Sequence, residues 1–195
     1  MAKRPVAGAV KSRLARGIGS AAALRFYRTT LAHTLLKLGR DPRWQTYLAV
    51  TPDVSLAESC WPSTPMVTRI PQGRGDLGAR MQSLIDCMPP GPVIIVGSDI
   101  PAMRPRHIAE AFRQLGRADA VFGPAKDGGY WLVGLKRRPR RLASFENVPW
   151  STGQALSATL ANLHGRILAF SSTLNDVDTE QDYKGERARG ERLLR

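Results

Sequence analysis

Four apolar residues in a row, Val93-Ile94-Ile95-Val96, stop at Gly97-Ser98-Asp99. A run with no polar face must be covered on both sides, as at the centre of a parallel sheet. Parallel strands need crossover connections, usually helices, and the sequence supplies them. Over 20–40, apolar residues recur at helical spacing at Leu24, Tyr27, Leu31, Leu35 and Leu38, with Ser20 as the expected cap and Gly39 as the stop. Helices are also predicted over 76–88, with Leu77, Met81, Leu84, Ile85 and Met88 on one face, and over 105–116 and 151–165. The last is opened by a Ser151–Gln154 capping box. Strands are predicted over 46–51, 66–70, 92–97, 118–124, 130–135 and 166–170, and a helix after Asp178. Strands alternating with helices define an α/β fold with a mostly parallel sheet, and 195 residues suffice for one domain, 1–195. Ligands of such sheets bind beyond the carboxyl ends of the strands.

Composition narrows the function classes. No apolar run approaches the roughly 18 residues of a membrane helix. The start, MAKRPVAGAVKSR, is basic without the apolar stretch of a secretory signal. Cys60 and Cys87 are far apart and form no CxxC pair, so two reduced thiols of a cytoplasmic protein are expected. The net charge of +13 has three sources: nine Lys or Arg and no acid in the first 40 residues, KRRPRR at 136–141, and the tail from Lys184. These clusters are not interleaved with aromatics and no nucleic-acid motif accompanies them, so nucleic acid is not an expected partner. The second and third read as solvated faces. The first holds the loop PVAGAVKSRL, 5–14, which is not a Walker A loop because Gly8 is followed by Ala-Val-Lys-Ser. Lys11 and Arg13 can still neutralise a di- or triphosphate, helped by backbone amides.

Four further motifs follow strands. Asp99, at the end of the apolar strand, is placed to hold a divalent cation bridging phosphates, or else to cap a turn. Asp127-Gly128-Gly129 joins two strands, where a glycine pair allows close approach to an anion or sugar and equally marks a hairpin. Asp176, Asp178 and Asp182 follow the last strand and can complete a metal site with Asp99, or cap the final helix through Asp178 or Thr179. In QGRGDLG, 72–78, Gln72 carries the amide needed to read a nucleobase edge, beside Gly73 and Gly75. His33, His107 and His164 fall within predicted helices and read as structural or surface residues. No Cys/His set has zinc-ligand spacing. A carboxylate-held Mg²⁺ or Mn²⁺ is the metal this chain can support.

The order of these motifs resembles a bacterial family of uncharacterised nucleotide-diphospho-sugar transferases, glycosyltransferase-like proteins associated with radical-SAM/selenoprotein domains. The matching stretches are PVAGAVKSRL (5–14), QGRGDLGARM (72–81), GSDIP (97–101), GPAKDGGYWLVGL (123–135), PWST (149–152) and DVDT (176–179), spanning almost the whole chain. The resemblance implies a three-layer GT-A fold akin to the molybdenum-cofactor and phospholactate guanylyltransferases. It implies that Gly8, Lys11 and Arg13 contact nucleotide phosphates, and that Gln72, Gly73 and Gly75 line the base and ribose pocket. Asp99 becomes the principal metal ligand, with Asp178 the second. Asp127, a further catalytic candidate, faces the acceptor or sugar with Gly128, Gly129 and Tyr130, and Trp150 closes that side.

Two features depart from the family. Members carry a first strand of several apolar residues before the opening loop, whereas here only Met1 and Ala2 precede Lys3-Arg4, so the first strand is expected to be truncated. An incomplete sheet edge invites pairing with a second copy as a homodimer. Ser98-Asp99-Ile100 also lacks the second Asp of a glycosyltransferase D-x-D motif. The expected activity is metal-dependent transfer from a nucleotide-activated donor: glycosyl transfer from a nucleotide sugar to a small-molecule acceptor or, alternatively, nucleotidyl transfer releasing pyrophosphate. A non-catalytic nucleotide binder and a basic nucleic-acid-binding domain are the rivals.

Overall fold

The computed structural model describes residues 1–137 and 142–192. Residues 138–141 of the basic run and 193–195 of the tail, both expected to be solvated, lie outside the described residues. In chain order the elements are β1 (Ala2–Lys3), α1 (Ser12–Ile18), α2 (Ser20–Gly39), β2 (Thr46–Thr51), β3 (Val67–Pro71), α3 (Leu77–Cys87), β4 (Val93–Val96), α4 (Pro105–Gln114), β5 (Ala120–Pro124), β6 (Tyr130–Leu135), α5 (Ala155–Ala161), β7 (Leu168–Phe170) and α6 (Glu180–Arg192).

The strands form two sheets, β1-β2-β3 and β4-β6-β5-β7. The first is parallel throughout, with Ala2 opposite Val50 and Thr46 opposite Val67. In the second, β6 runs antiparallel to β4 and β5, and β7 runs parallel to β5. Alternate residues of β5 and β6 face opposite layers, as the two-residue period of a strand requires. Val121 and Leu132 pack with Ile108, Ala111 and Leu115 of α4. Phe122 and Val133 pack with Met81 and Ile85 of α3. This is the expected α/β sandwich, mostly parallel. Its first strand is the two-residue β1, so the stub expected from the sequence does enter the sheet.

Local sequence explains some boundaries and misplaces others. Asp76 caps α3, its Oδ1 accepting from the Ala79 amide at 2.8 Å. Leu77, expected on the buried face, is exposed because it sits at the very start of that helix. Ser20 does not cap α2. Gly19, at φ 84°, separates α1 from α2, and Ser20 is already helical. Gly39 is also helical; a Cβ there would lie 2.5 Å from a Val67 methyl, so its role is close packing on β3. The predicted capping box at Ser151 is absent. Ser151 lies at φ 64°, and α5 starts four residues later with no side-chain cap on Gln154. Thr152 accepts instead from the Gln154 amide at 3.2 Å, forming a turn that precedes the helix. No helix among the described residues is long and apolar enough to cross a membrane. Cys60 and Cys87 are both free thiols.

Candidate functional site

Asp99 follows β4 through Gly97, whose amide donates to the Trp131 carbonyl of β6 at 3.0 Å. Asp176 and Asp178 follow β7 along a segment held to β5 and β6. The Ser171 and Leu174 amides donate to Phe122 and Pro124 carbonyls, and the Trp131 indole donates to the Ser172 carbonyl at 3.0 Å. Val177, between the two acids, is buried against Leu14 and Ala23 of the two N-terminal helices. Extended chain alternates sides, so burial of Val177 directs Asp176 and Asp178 the same way. The opening loop arrives from β1. Lys11, at φ 49°, is the residue on which α1 starts. Tyr27 of α2 braces the arrangement: its hydroxyl accepts from the Lys3 amide at 2.9 Å, donates to the Lys3 carbonyl at 2.8 Å, and lies 3.5 Å from Ser98 Oγ.

These elements bring three carboxylates and two cations together. Ligand oxygens of Asp99, Asp176 and Asp178 all lie within 4.8 Å of one another. Lys11 Nζ sits among them, 2.5 Å from Asp99 Oδ2, 2.6 Å from Asp178 Oδ1 and 3.7 Å from Asp176 Oδ2. Its side chain is only 4% exposed. Arg13 Nη2 meets Asp178 Oδ2 at 2.5 Å from the solvent side. Burial alone would lower the Lys11 pKa, but Asp99 and Asp178 outweigh it and raise it above the usual lysine value. Asp178 also resists its own desolvation, and hydrogen bonding to Lys11 holds its pKa below the carboxylate range. Asp176, farther from the ammonium, is pushed up to about 6 by burial, against the pull of Lys11 and with the repulsion of Asp178 and Asp99. Three oxygen donors at this spacing suit a hard divalent cation such as Mg²⁺ or Mn²⁺.

The structure therefore joins Lys11, Arg13, Asp99 and Asp178, and of the three acids after β7 it brings Asp176 and Asp178, but not Asp182, to Asp99. The signal for that pair was legible: Asp-Val-Asp with a buried centre places both acids on one side. Asp182, the third acid of that segment, is a cap. Its Oδ2 accepts from the amides of Asp178 and Thr179 and from Thr179 Oγ1, while its own amide donates to Thr179 Oγ1. Thr179 thus caps α6 in a reciprocal box. Gly8, at φ 75°, has open space where a Cβ would project. Sequence reasoning missed Tyr27 and Ser98, which lie far apart in the chain and meet only through the fold.

The remaining expected site residues lie after β3, in the β5–β6 hairpin and the start of β6, and in the segment before α5. Gln72 is buried. Its Nε2 donates to the Ala2 and Ala49 carbonyls at 3.0 Å each, and its Oε1 accepts from Arg80 at 3.3 Å. In this state its amide ties β1 to β2. Gly73, at φ 81°, donates its amide to Asp53 Oδ1, and Gly75 lies at φ 96° just before the α3 cap. The Asp127-Gly128-Gly129 stretch is a hairpin between β5 and β6, with Asp127 Oδ1 accepting from the Gly129 amide at 3.0 Å. Lys126 donates its amide to Asn175 Oδ1 at 3.1 Å, linking this hairpin to the segment that bears Asp176. The Tyr130 hydroxyl lies 3.4 Å from Thr159 Oγ1, and burial pushes its pKa up to about 12. Trp150 packs edge-on to Tyr130 and beside Phe145, where Gly78 of α3 leaves room for its ring; its Nε1 is buried without a partner. His107 lies at the start of α4 with Nδ1 accepting from the Arg104 amide at 3.2 Å, a structural role.

Gly128 makes the closest backbone approach of the hairpin. It lies at φ 82°, and a Cβ there would meet the Gly153 carbonyl oxygen and sit 2.6 Å from its carbon. Gly128→Ala is expected to displace 151–154, break the 3.0 Å bond from the Leu156 amide to the Gly128 carbonyl, and cost about 2–3 kcal/mol. Gly165→Ala, at φ 74° but facing open space, carries the backbone strain without the collision and should cost about 1 kcal/mol. Chemical denaturation of the pair checks this; equal losses would remove the collision from the account.

The fold defines the class: a nucleotide-diphospho-sugar-transferase-like α/β protein. The chain belongs to the bacterial family DUF2064, described as uncharacterised proteins conserved in bacteria, whose profile matches residues 34–152. It resembles a crystal structure from Desulfovibrio desulfuricans G20, of a protein assigned provisionally as a nucleotide-diphospho-sugar transferase. That match has a TM-score of 0.82 and 29% identity over 91% of this chain and 80% of the other. A homologue of Mycobacterium tuberculosis Rv0371c from Mycobacterium sp. strain JC1 shares the fold, with a TM-score of 0.57 and 17% identity over 84% of each chain. No curated protein matches the sequence significantly.

Proposed function

We propose that this protein is a metal-dependent transferase using a nucleotide-activated donor, transferring a sugar from a nucleotide sugar to a small-molecule acceptor. The observation that carries the proposal is the cluster of Asp99, Asp176 and Asp178 beside Lys11 and Arg13, at the carboxyl ends of β4 and β7. Asp99 and Asp178 would hold Mg²⁺ or Mn²⁺, with Asp176 as third ligand. When bound, the ion supplies Lewis-acid stabilisation of charge developing on a diphosphate leaving group. Lys11 and Arg13, at the opening loop with Gly8, would turn to the phosphates. Gln72, Gly73 and Gly75 would line the base and ribose side. Asp127, Gly128, Gly129, Tyr130 and Trp150 would form the acceptor side, with Asp127 positioned toward the attacking group. The family resemblance and the Desulfovibrio neighbour support this reading.

A second reading is favoured by one observation: β4 contributes a single carboxylate, Asp99, where a glycosyltransferase D-x-D motif would give two. In that version a phosphorylated acceptor attacks a nucleoside triphosphate and pyrophosphate leaves. Thermal-shift titration with nucleotides and nucleotide sugars, with and without Mn²⁺, tests the shared core. Stabilisation that needs both metal and nucleotide is expected, and its absence would reject the proposal. Assays for nucleoside diphosphate and for pyrophosphate then separate the two versions, and metal-dependent binding without either product would leave a nucleotide-binding role alone.

The raised pKa of Asp176 sets a pH dependence. With a folded-state value of about 6, this carboxyl is mostly protonated at pH 5 and mostly ionised at pH 7, and a proton there competes with the cation. Mn²⁺ affinity should therefore tighten about tenfold from pH 5 to 7, with one proton released on binding at the lower pH. Calorimetry in buffers of different ionisation enthalpy measures both, and a flat profile would remove Asp176 from the ligand set.

A further inference from the structure

α2 runs for 20 residues, and its two faces differ in kind. One buries Ala23, Tyr27, Leu31, Leu35 and Leu38 in the core. The other exposes Arg25, Arg28, His33 and Lys37, followed at once by Arg40. At about 3.6 residues per turn these five positions fall within about half of the helix circumference, and Arg25 to Arg40 spans about 22 Å. The uncharged residues exposed among them are Ala21, Thr29 and Leu36, the last 42% exposed.

No acid balances this face. Residues 1–40 contain none. Among the described residues no ion pair reaches Arg25, Arg28, Lys37 or Arg40, and Arg28 donates to the Pro5 carbonyl at 3.4 Å. Asp41, the first acid after the helix, is already held by two Arg43 nitrogens, at 2.8 and 2.6 Å. α6 flanks the N-terminal half of α2, with Tyr183 edge-on to Phe26 at 5.5 Å, and its Glu180 pairs with Lys184 at 2.7 Å. The neighbouring charge is positive too. Partial burial, and then the charge of Arg104, lower the Lys37 pKa below the usual lysine value. Arg16 lies exposed on α1, which packs on α2 through Leu14 and Ala23. Arg25 and Arg28, and again Lys37 and Arg40, stand three residues apart, where like charges destabilise a helix. A face that carries this repulsion in the free protein is relieved by an external polyanion.

The residues between the cations select which polyanion. Nucleic acid is gripped by cations interleaved with aromatics that stack on bases, whereas here Ala21, Thr29 and Leu36 intervene. A flat lipid surface accepts such a face along its whole length: anionic headgroups attract each Lys or Arg, and an exposed Leu is covered at the headgroup boundary. We propose that the outer face of α2 docks peripherally on an anionic lipid bilayer, with Arg25, Arg28, Lys37 and Arg40 toward the headgroups and Leu36 at the boundary.

Co-sedimentation with phosphatidylcholine vesicles, with and without phosphatidylglycerol, tests this. Binding is expected only where the anionic lipid is present, and should fall at least about tenfold between about 0.1 and 0.5 M salt. Replacing Arg25, Lys37 and Arg40 together by Gln should weaken it about 100-fold, roughly fivefold for each cation lost. Replacing Arg117, Lys136 and Arg166 by Gln removes the same charge from around Asp119, whose backbone and side chain bond the Lys136 and Ile167 amides. That control should cost less than about threefold, because its cations lie away from the docked face. Circular dichroism confirms that both variants fold, and the salt response of the unmodified protein needs no variant. Equal losses from the two variants would assign the binding to net charge and overturn the proposal. So would failure to bind anionic vesicles, or binding indifferent to salt. Tighter binding to a duplex oligonucleotide, lost with the same three α2 cations, would overturn it in favour of a nucleic-acid face.

Discussion

Asp99→Asn is expected to lower Mn²⁺-dependent nucleotide affinity by about 100-fold or more while leaving the protein folded. Loss of an outer partner of a metal ligand already costs about 10–100-fold, and Asp99 is the one acid of the cluster fixed directly to the β4 ladder. The fold should tolerate the change because the substitution keeps the side-chain shape. Lys11 also retains Asp178 at 2.6 Å and Asp176 at 3.7 Å, so no buried ammonium is left without a counter-charge. Circular dichroism and Tm establish the folded state; titration with Mn²⁺ and nucleotide measures the effect. An Asp99→Asn protein that keeps full Mn²⁺-dependent affinity would show that the metal, if bound, is held elsewhere.

Phe122→Ala should produce the largest loss of stability. Phe122 is fully buried in β5, which pairs with β6 on one side and β7 on the other. Its ring meets Tyr130 at 5.4 Å and Phe170 at 6.4 Å between centroids. Truncation leaves a cavity that two sheet neighbours hold open, and should cost about 3–5 kcal/mol. For a chain of this size that corresponds to a fall in Tm of roughly 10 °C or more. Phe170→Ala serves as the contrast: half exposed at 50%, it should cost about 1 kcal/mol. Denaturant melts measure both, and a Phe122→Ala loss near that of Phe170→Ala would mean the core repacks around the gap.

The elements legible in the sequence are those whose signal is local. Asp76 before an apolar period gave the start of α3, and the unbroken run at 93–96 gave β4 but not its place: β4 is an edge strand of its sheet, half-buried along its length and antiparallel to β6, rather than the centre of a parallel sheet. The 149–155 stretch was misread because its backbone answers to Gly128 and the hairpin above it, so the strong local Ser-x-x-Gln pattern lost to tertiary contact. α1 was hidden within a basic loop. It is seven residues long and contains Gly17, and its one fully buried residue, Leu14, is too little for a period. At the site, Asp99 and Asp178 were readable as carboxylates following strands. Gln72 was readable as an amide in a Gly-rich loop, but its partners, the Ala2 and Ala49 carbonyls, come from two other strands.

The Lys11 ammonium held among three aspartates has a consequence for any measurement of cation binding. The cluster carries its own tethered counter-ion, and under the proposed function a divalent ion entering it would compete with that ammonium. An apparent dissociation constant for Mg²⁺ or Mn²⁺ would then be an exchange constant, set against a rival whose local concentration dilution cannot lower. A displaced Lys11 would keep its positive charge beside the cluster, so occupancy and the electrostatic pull on an incoming polyanion would rise together.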